Sequence, residues 1–167
     1  MTEAAVDMTH QYLTFMLGDE TFAVDVAKAR EVLDSINITK VPQTPEYMLG
    51  VINLRGSVVP VIDMRLKFGL EKRDRTVDTC IIVLEIAVDG DAVVIGAQAD
   101  SVQEVLEIST GQIEPPPRLG TKLNTEFIRG MGNCNDEFVI ILDIDKVFTV
   151  DELELAKGMS KTDEEVA

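Results

Sequence analysis

The chain carries its own plan twice. Asp19-Glu20-Thr21-Phe22-Ala23-Val24 returns as Asp91-Ala92-Val93-Val94-Ile95-Gly96, an offset of 72 residues. Arg30-Glu31-Val32-Leu33 returns as Gln103-Glu104-Val105-Leu106, an offset of 73. Glu46-Tyr47-Met48, Gly50, Asp63 and Phe68 return at an offset of 80 as Glu126-Phe127-Ile128, Gly130, Asp143 and Phe148. A growing offset means small insertions in connections, where chains tolerate them. Four blocks in the same order define an internal duplication. Each unit, of about 65–75 residues, is marginal as an independent domain, so the two must pack on each other.

The units read as β. Gly50 to Phe68 shows the pattern best: Val and Ile dominate Ser57 to Asp63, and β-branched side chains suit a pleated, packed surface. Asn53-Leu54-Arg55 with Gly56 is a turn between two short strands. Pro60 donates no backbone hydrogen bond and is expected at a sheet edge or a bulge. Tyr12–Leu17 and Thr21–Asp25 are strands around a Gly18-Asp19-Glu20 turn, and Ala27–Leu33 is a short helical turn running into a strand. Thr44-Pro45-Glu46 has the N-cap, first-turn proline and acid of a helix start, for a turn or two of helix before Gly50. Thr79–Val88 and Ala92–Ala97 flank an Asp89-Gly90-Asp91 hairpin turn. Pro115-Pro116-Pro117 is an extended connector, and Asp151–Lys157 a short helix ahead of an acidic tail. Domain limits follow: 1–9 a flexible N-terminus, 10–150 the duplicated domain, 151–167 helix and tail.

Composition narrows function. A net charge of −15 and a pI near 4.3 argue against nucleic acid and against an anionic membrane surface. Cys80 and Cys134 have no metal or redox spacing and read as reduced, half-buried apolar positions. The first ten residues lack the basic and apolar regions of a signal peptide. The longest apolar run, Cys80 to Val88, is interrupted by Glu85 and too short to span a bilayer. The expected setting is the cytoplasm, without membrane insertion.

No catalytic constellation emerges. His10 is the sole histidine and lies in the polar N-terminal stretch, so neither a triad nor a histidine metal site is available. Asp63 and Asp143 hold equivalent repeat positions and are a formal carboxylate pair, but Asp closing a strand ordinarily accepts backbone hydrogen bonds. Gly130-Met131-Gly132 lacks the Lys and helix of a phosphate loop, and Asp89-Gly90-Asp91 lacks calcium-loop spacing. No metal or cofactor is expected. What remains is a surface: Glu31 and Arg55 are charges set in apolar segments, and their simplest reading is two solvated charges or an exposed ion pair.

Leu17-Gly18-Asp19-Glu20, Glu31-Val32, Gly50-Val51-Ile52-Asn53-Leu54-Arg55-Gly56 with Val59-Pro60-Val61-Ile62-Asp63, and Thr125-Glu126-Phe127-Ile128 together resemble the CheW-like family of bacterial chemotaxis coupling proteins. The resemblance spans roughly residues 10 to 150. It implies an all-β fold with short helices, two intertwined SH3-like five-stranded β-barrels. It also implies a monomeric, non-catalytic adaptor. Such an adaptor bridges the cytoplasmic tips of methyl-accepting chemoreceptors to the regulatory domain of the histidine kinase CheA, and is recruited to membrane-associated receptor arrays. Residue by residue, Glu31 and Arg55 match a receptor-facing Glu and Arg, and Ala29 and Val32 match that Glu's apolar neighbours. Arg118 and Leu119 fall where the family makes its kinase or array contact; Leu119 stands where an aromatic residue can occur. The competing expectation is a small-ligand-binding or catalytic β-barrel protein working in the cleft between barrels.

Overall fold

Two sheets form, and neither belongs to one half of the sequence. A computed structural model describes residues 9–34, 37–88, 90–114, 127–134 and 137–148. Its strands are β1 (Thr9–Leu17), β2 (Glu20–Asp25), β3 (Ala29–Asp34), β4 (Met48–Leu54), β5 (Ser57–Asp63), β6 (Cys80–Val88), β7 (Asp91–Ala99), β8 (Ser101–Ser109), β9 (Ile113–Glu114), β10 (Ile128–Cys134) and β11 (Glu137–Leu142). Among the described residues helix is confined to α1 (Met64–Lys67), α2 (Ile144–Val147) and 3-10 turns at Val26–Lys28 and Thr110–Gln112. One sheet runs β8-β1-β2-β11-β10-β9 and the other β3-β6-β7-β5-β4.

The duplication explains that exchange. β1 and β2 of the first half pair with β8 to β11 of the second, while β6 and β7 of the second pair with β3, β4 and β5 of the first. Each half therefore gives its first hairpin to one sheet and its remaining strands to the other. The units predicted as neighbours are intertwined. The offset of 80 survives in atomic detail. Asp63 N donates to Tyr47 O and Asp143 N to Phe127 O, both at 2.8 Å. The β4–β5 ladder slips between Met48 and Gly50, and the β10–β11 ladder slips between Ile128 and Gly130.

Alternation along the strands sorts the apolar residues into three clusters. Leu13, Phe15 and Leu17 of β1 meet Ile82, Leu84 and Ile86 of β6 in the layer between the sheets. Tyr12 turns the other way, into a cluster with Ala23, Ile108, Val139 and Ile141 inside the first sheet. Ile81 does the same in the second sheet with Ile52, Val59 and Val61. A strand buried on both faces has no polar side to show, which is why Cys80–Val88 reads as an almost continuous apolar run. Phe15, Phe22, Phe68 and Phe127 stack in sequence across the middle layer, with centroids 5.8, 5.5 and 5.0 Å apart.

Three local expectations are corrected. Thr44-Pro45-Glu46 starts no helix: Met48 N bonds Pro45 O at 2.9 Å in a single turn, and Thr44 Oγ1 donates back to Val41 O. With β4 beginning at Met48, there is no length for a second helical turn. Pro60 is buried in β5, an internal strand rather than an edge. It is tolerated because β7 pairs with β5 only from Val61 onward, so the missing N–H falls outside that ladder. His10 lies in β1 opposite Ile108, so ordered strand begins earlier than the polar composition suggests. Pro115–Pro117, Asp151–Lys157, Arg118 and Leu119 lie outside the described residues.

Candidate functional site

The two equivalent carboxylates are architectural. Asp63 caps α1, its Oδ1 accepting from Arg65 N at 2.9 Å. Asp143 holds the matching position on α2 but makes no side-chain cap bond, a correction to the expectation that both carboxylates accept from backbone. Asp63 is buried, and burial pushes its carboxyl above the usual Asp range, against bonds from the Arg65 and Leu66 amides and the Arg65 charge. A carboxyl whose pKa is raised by folding costs stability above that pKa and recovers it as pH falls. Asp63→Asn keeps a cap acceptor without the charge. It is therefore expected to melt above wild type at neutral pH, with the gap closing on acidification through the raised value toward the ordinary one. Melting curves across that range check this; a gap that widens in acid rules it out.

Glu31 and Arg55 do meet. Both Arg55 Nη atoms face the Glu31 carboxylate: Nη1 reaches Oε1 at 3.4 Å and Nη2 pairs with Oε2. The Glu31 side chain is 27% exposed and that of Arg55 72%. The Arg55 bond and charge hold the Glu31 carboxyl below its usual range, and Glu31 raises the guanidinium in return. The pairing is not between neighbouring strands. Glu31 is on β3 and Arg55 follows β4, and these strands are opposite edges of one sheet. Leu33 of β3 and Leu49 and Leu54 of β4 pack on the same interior cluster, so the sheet is rolled and the ion pair bridges its two edges.

Arg55 is placed there by an uncommon backbone. Leu54 pairs with Ser57, which leaves Arg55 and Gly56 as a two-residue turn with φ of +52° and +89°. Positive φ at both positions is the I′ geometry that matches strand twist and ordinarily takes Asn-Gly. Asn53 Oδ1 supports it by accepting Gly56 N at 2.8 Å. A Cβ-bearing residue in the left-handed region is sterically disfavoured.

Ala29 and Val32 are on the other face of β3. The β3–β6 register runs Ala29↔Leu84, then Glu31↔Val83 and Val32↔Ile82, so Arg30 is an extra, bulged residue. The bulge brings Ala29 and Val32, three apart, onto the face of Leu84 and Ile82 that looks into the inter-sheet layer. Ala29 packs against that layer, and Val32, 41% exposed, stands at its border. Arg30 itself reaches Glu85 Oε1 at 3.6 Å.

Sequence reasoning missed the second copy of this edge. On β8, Phe15↔Val102 and Leu13↔Val105 flank another register slip. Val102 packs on the inter-sheet layer and Val105 is 49% exposed, repeating Ala29 and Val32. The signal was available, since Val32 and Val105 align at the 73-residue offset. The ion pair is not repeated: 80 residues beyond Arg55 stands Asn135. Among the described residues no three His, Cys, Asp or Glu side chains gather to hold a metal, and no helix is long and apolar enough to cross a membrane.

Two interwoven sheets, apolar edge strands along their common layer and a bridged ion pair define a β interaction module. Comparison gives it a family. The CheW-like domain model matches residues 11–152, and the chain belongs to the CheW-like family. It is 34% identical over 152 residues to the chemotaxis protein CheW of Klebsiella aerogenes, covering 91% of this chain and 89% of that one. It is 36% identical over 141 residues to the chemotaxis protein CheW of Helicobacter pylori, covering 84% and 82%. The crystal structure of the scaffolding protein TtCheW from Thermoanaerobacter tengcongensis superposes with a TM-score of 0.76 at 37% identity, covering 87% of this chain and 96% of that one.

Proposed function

We propose that this protein is a chemotaxis adaptor that couples methyl-accepting chemoreceptors to the histidine kinase CheA in signalling arrays and carries out no catalysis itself. The observation that carries the reading is Arg55, held out on a left-handed turn and paired with Glu31 across the edges of a rolled sheet. On the opposite face of the same edge strand from Glu31, Ala29 and Val32 border the inter-sheet layer, with Val102 and Val105 as their repeat equivalents. Together they offer a helical receptor tip an apolar strip with a charged end. The adaptor works in the cytoplasm as a monomer recruited to membrane-associated arrays, its other face meeting the regulatory domain of CheA. Arg118 and Leu119 belong to that kinase or array contact.

The test is a charge-reversal cycle. Glu31→Lys or Arg55→Glu alone is expected to weaken binding of a receptor cytoplasmic fragment at least about tenfold, a recognised effect of unpairing a charge at a desolvating interface. Melting temperature should hardly change, because the pair is exposed. The double reversal regains part of the affinity if the pair itself is recognised, and equals the sum of the singles if each residue touches the receptor independently. Unchanged binding in both singles removes the assignment.

A further inference from the structure

The rolled second sheet closes over Ile52, Val59, Val61 and Ile81, and two polar residues continue that inner face toward one end. Asp63 of β5 and Gln98 of β7 are register partners, two residues beyond Val61 and Gly96, and Gln98 is also paired with Ile81. Alternation therefore turns both side chains inward. They are only 2% and 8% exposed. Beyond them lies a cleft of about 230 Å³, with Ile38 and Leu49 as an apolar wall and the exposed Lys72–Arg75 segment at its mouth. The mouth of a closed sheet is a favoured place for a ligand, and this volume suits one smaller than a drug.

The polar floor of the cleft is not satisfied from within the fold. Gln98 Oε1 is buried with no hydrogen-bond partner among the described residues. Asp63 accepts from the Arg65 and Leu66 amides, fewer bonds than a carboxylate can take. A buried carbonyl left unpaired costs stability, and such an atom in a native fold calls for an explanation. Net charge does not select what enters. Arg73 is paired with Asp100, Arg75 is engaged as well, and Asp63 and Asp74 offset the cations lining the same cleft. Hydrogen bonding selects it instead. Two adjacent acceptors below an apolar wall match a nitrogen with two N–H bonds on a short hydrocarbon.

We propose that this cleft binds a small primary carboxamide, its NH2 group donating to Gln98 Oε1 and Asp63 and its hydrocarbon part lying on Ile38 and Leu49. A primary amide brings two donors on one nitrogen and no charge to desolvate. Its carbonyl is left for the mouth, where Lys72 is an exposed donor. The site is at the Leu49 and Asp63 end of the β4–β5 hairpin, whereas Arg55 is at the tip, about 20 Å away along the strands. It stands whether or not the Glu31–Arg55 face meets a receptor.

The probe is isovaleramide, titrated into the full chain and followed by nuclear magnetic resonance at the Gln98 side-chain amide and the Ile38 and Leu49 methyls. All three are expected to shift along one saturable curve, with a Kd on the order of millimolar for so few atoms. Isobutyl methyl ketone has the same shape without the N–H donors and should bind at least about fivefold more weakly. Gln98→Leu should lose at least about fivefold for isovaleramide. Its melting temperature should equal or exceed that of wild type, because an apolar side chain of similar size removes the unpaired carbonyl. Any of four results overturns the proposal: the three signals share no saturable shift; the ketone binds as tightly as the amide; isopentylamine or isovalerate, the charged counterparts, binds more tightly than the amide; or Gln98→Leu binds as well as wild type. A Gln98→Leu protein that melts well below wild type overturns it too, since the amide is then satisfied by the fold.

Discussion

Replacing Asp100 by alanine is expected to remove about 3 kcal/mol or more of folding stability. Asp100 Oδ2 accepts from Arg65 Nη1 at 2.6 Å, Gly18 N at 2.7 Å and Arg73 Nη1 at 3.4 Å. Its backbone N also donates to Met16 O at 3.0 Å. One carboxylate thereby ties the β1–β2 turn of one sheet to α1 and to the end of β7 in the other. Arg65 and Asp100 side chains are only 13% and 16% exposed. Removing one partner of such a pair strands the other charge where water cannot fully solvate it, and that stranded charge is the main cost. Arg65 keeps its Nε bond to Glu71 O, so the loss belongs at the lower end of the usual range for a buried pair. For a chain of this length it lowers the melting temperature by about 6–12 °C. Asp100→Asn, which can still accept from Gly18, should fall in between, and adding Arg65→Met to Asp100→Ala should recover part of the deficit. A melting temperature for Asp100→Ala within about 2 °C of wild type would show that the node carries no such weight.

Nothing in the sequence distinguished Asp100 from fourteen other aspartates and fifteen glutamates, because its partners are 82 and 35 residues away. Long-range satisfaction of a charge leaves no local pattern. The fold was far more legible. β-branched runs with Gly-containing turns located most strands, and the duplication marked their equivalents in the other half. The exchange of strands between halves came from the family resemblance, since periodicity says which face of a strand is buried but not against which strand. Thr44-Pro45-Glu46 failed for a physical reason: cap residues describe a helix end only where there is chain enough for a helix. Pro60 failed because the edge rule concerns a missing hydrogen bond, and a register that begins one residue later satisfies it equally well.

The candidate site was half legible. Glu31 and Arg55 are distinctive as charges in apolar surroundings, and the structure brings them into contact. How they meet was not readable, since a rolled sheet joins its edges through the whole ladder between them. The turn that carries Arg55 was also read one step early, at Asn53-Leu54-Arg55, because Asn and Gly are the usual turn residues and Arg is not. Ala29 and Val32 on one face, with Glu31 on the other, violates strict alternation. Only the Arg30 bulge permits it, and a bulge has no reliable sequence mark.

Gly50→Ala is expected to destabilise the second sheet by about 3–5 kcal/mol, from two causes that act together. Gly50 has a φ of +146°, which a Cβ-bearing residue rarely adopts, and an added Cβ would sit 2.1 Å from Thr39 O and 2.7 Å from its carbonyl carbon. Thr39 is fixed there by two bonds to Val51, N to O at 2.8 Å in each direction. The alanine methyl cannot be accommodated without pushing that backbone away, so both bonds break and Ile38 leaves the cluster of Ile52, Val59, Val61 and Ile81. The repeat supplies an internal comparison. At Gly130 the added Cβ would meet Ile113 Cγ2 at 2.5 Å and Glu114 O at 2.9 Å, with no positive φ to lose. The nearest obstacle there is a side chain that can yield, and the Glu114 carbonyl is 2.9 Å away where that of Thr39 is 2.1 Å, so Gly130→Ala should cost about 1–3 kcal/mol. Gly56 has φ of +89° and nothing within 4 Å of the new Cβ, so Gly56→Ala isolates the backbone contribution at about 1 kcal/mol. Urea denaturation of the three variants measures the order, and amide exchange at Thr39 and Val51 reports the bridge directly. The order Gly50, Gly130, Gly56 follows if close backbone approach dominates. If Gly50→Ala costs no more than Gly56→Ala, with both amides still protected, then the Thr39 segment yields freely and is not a fixed part of the sheet.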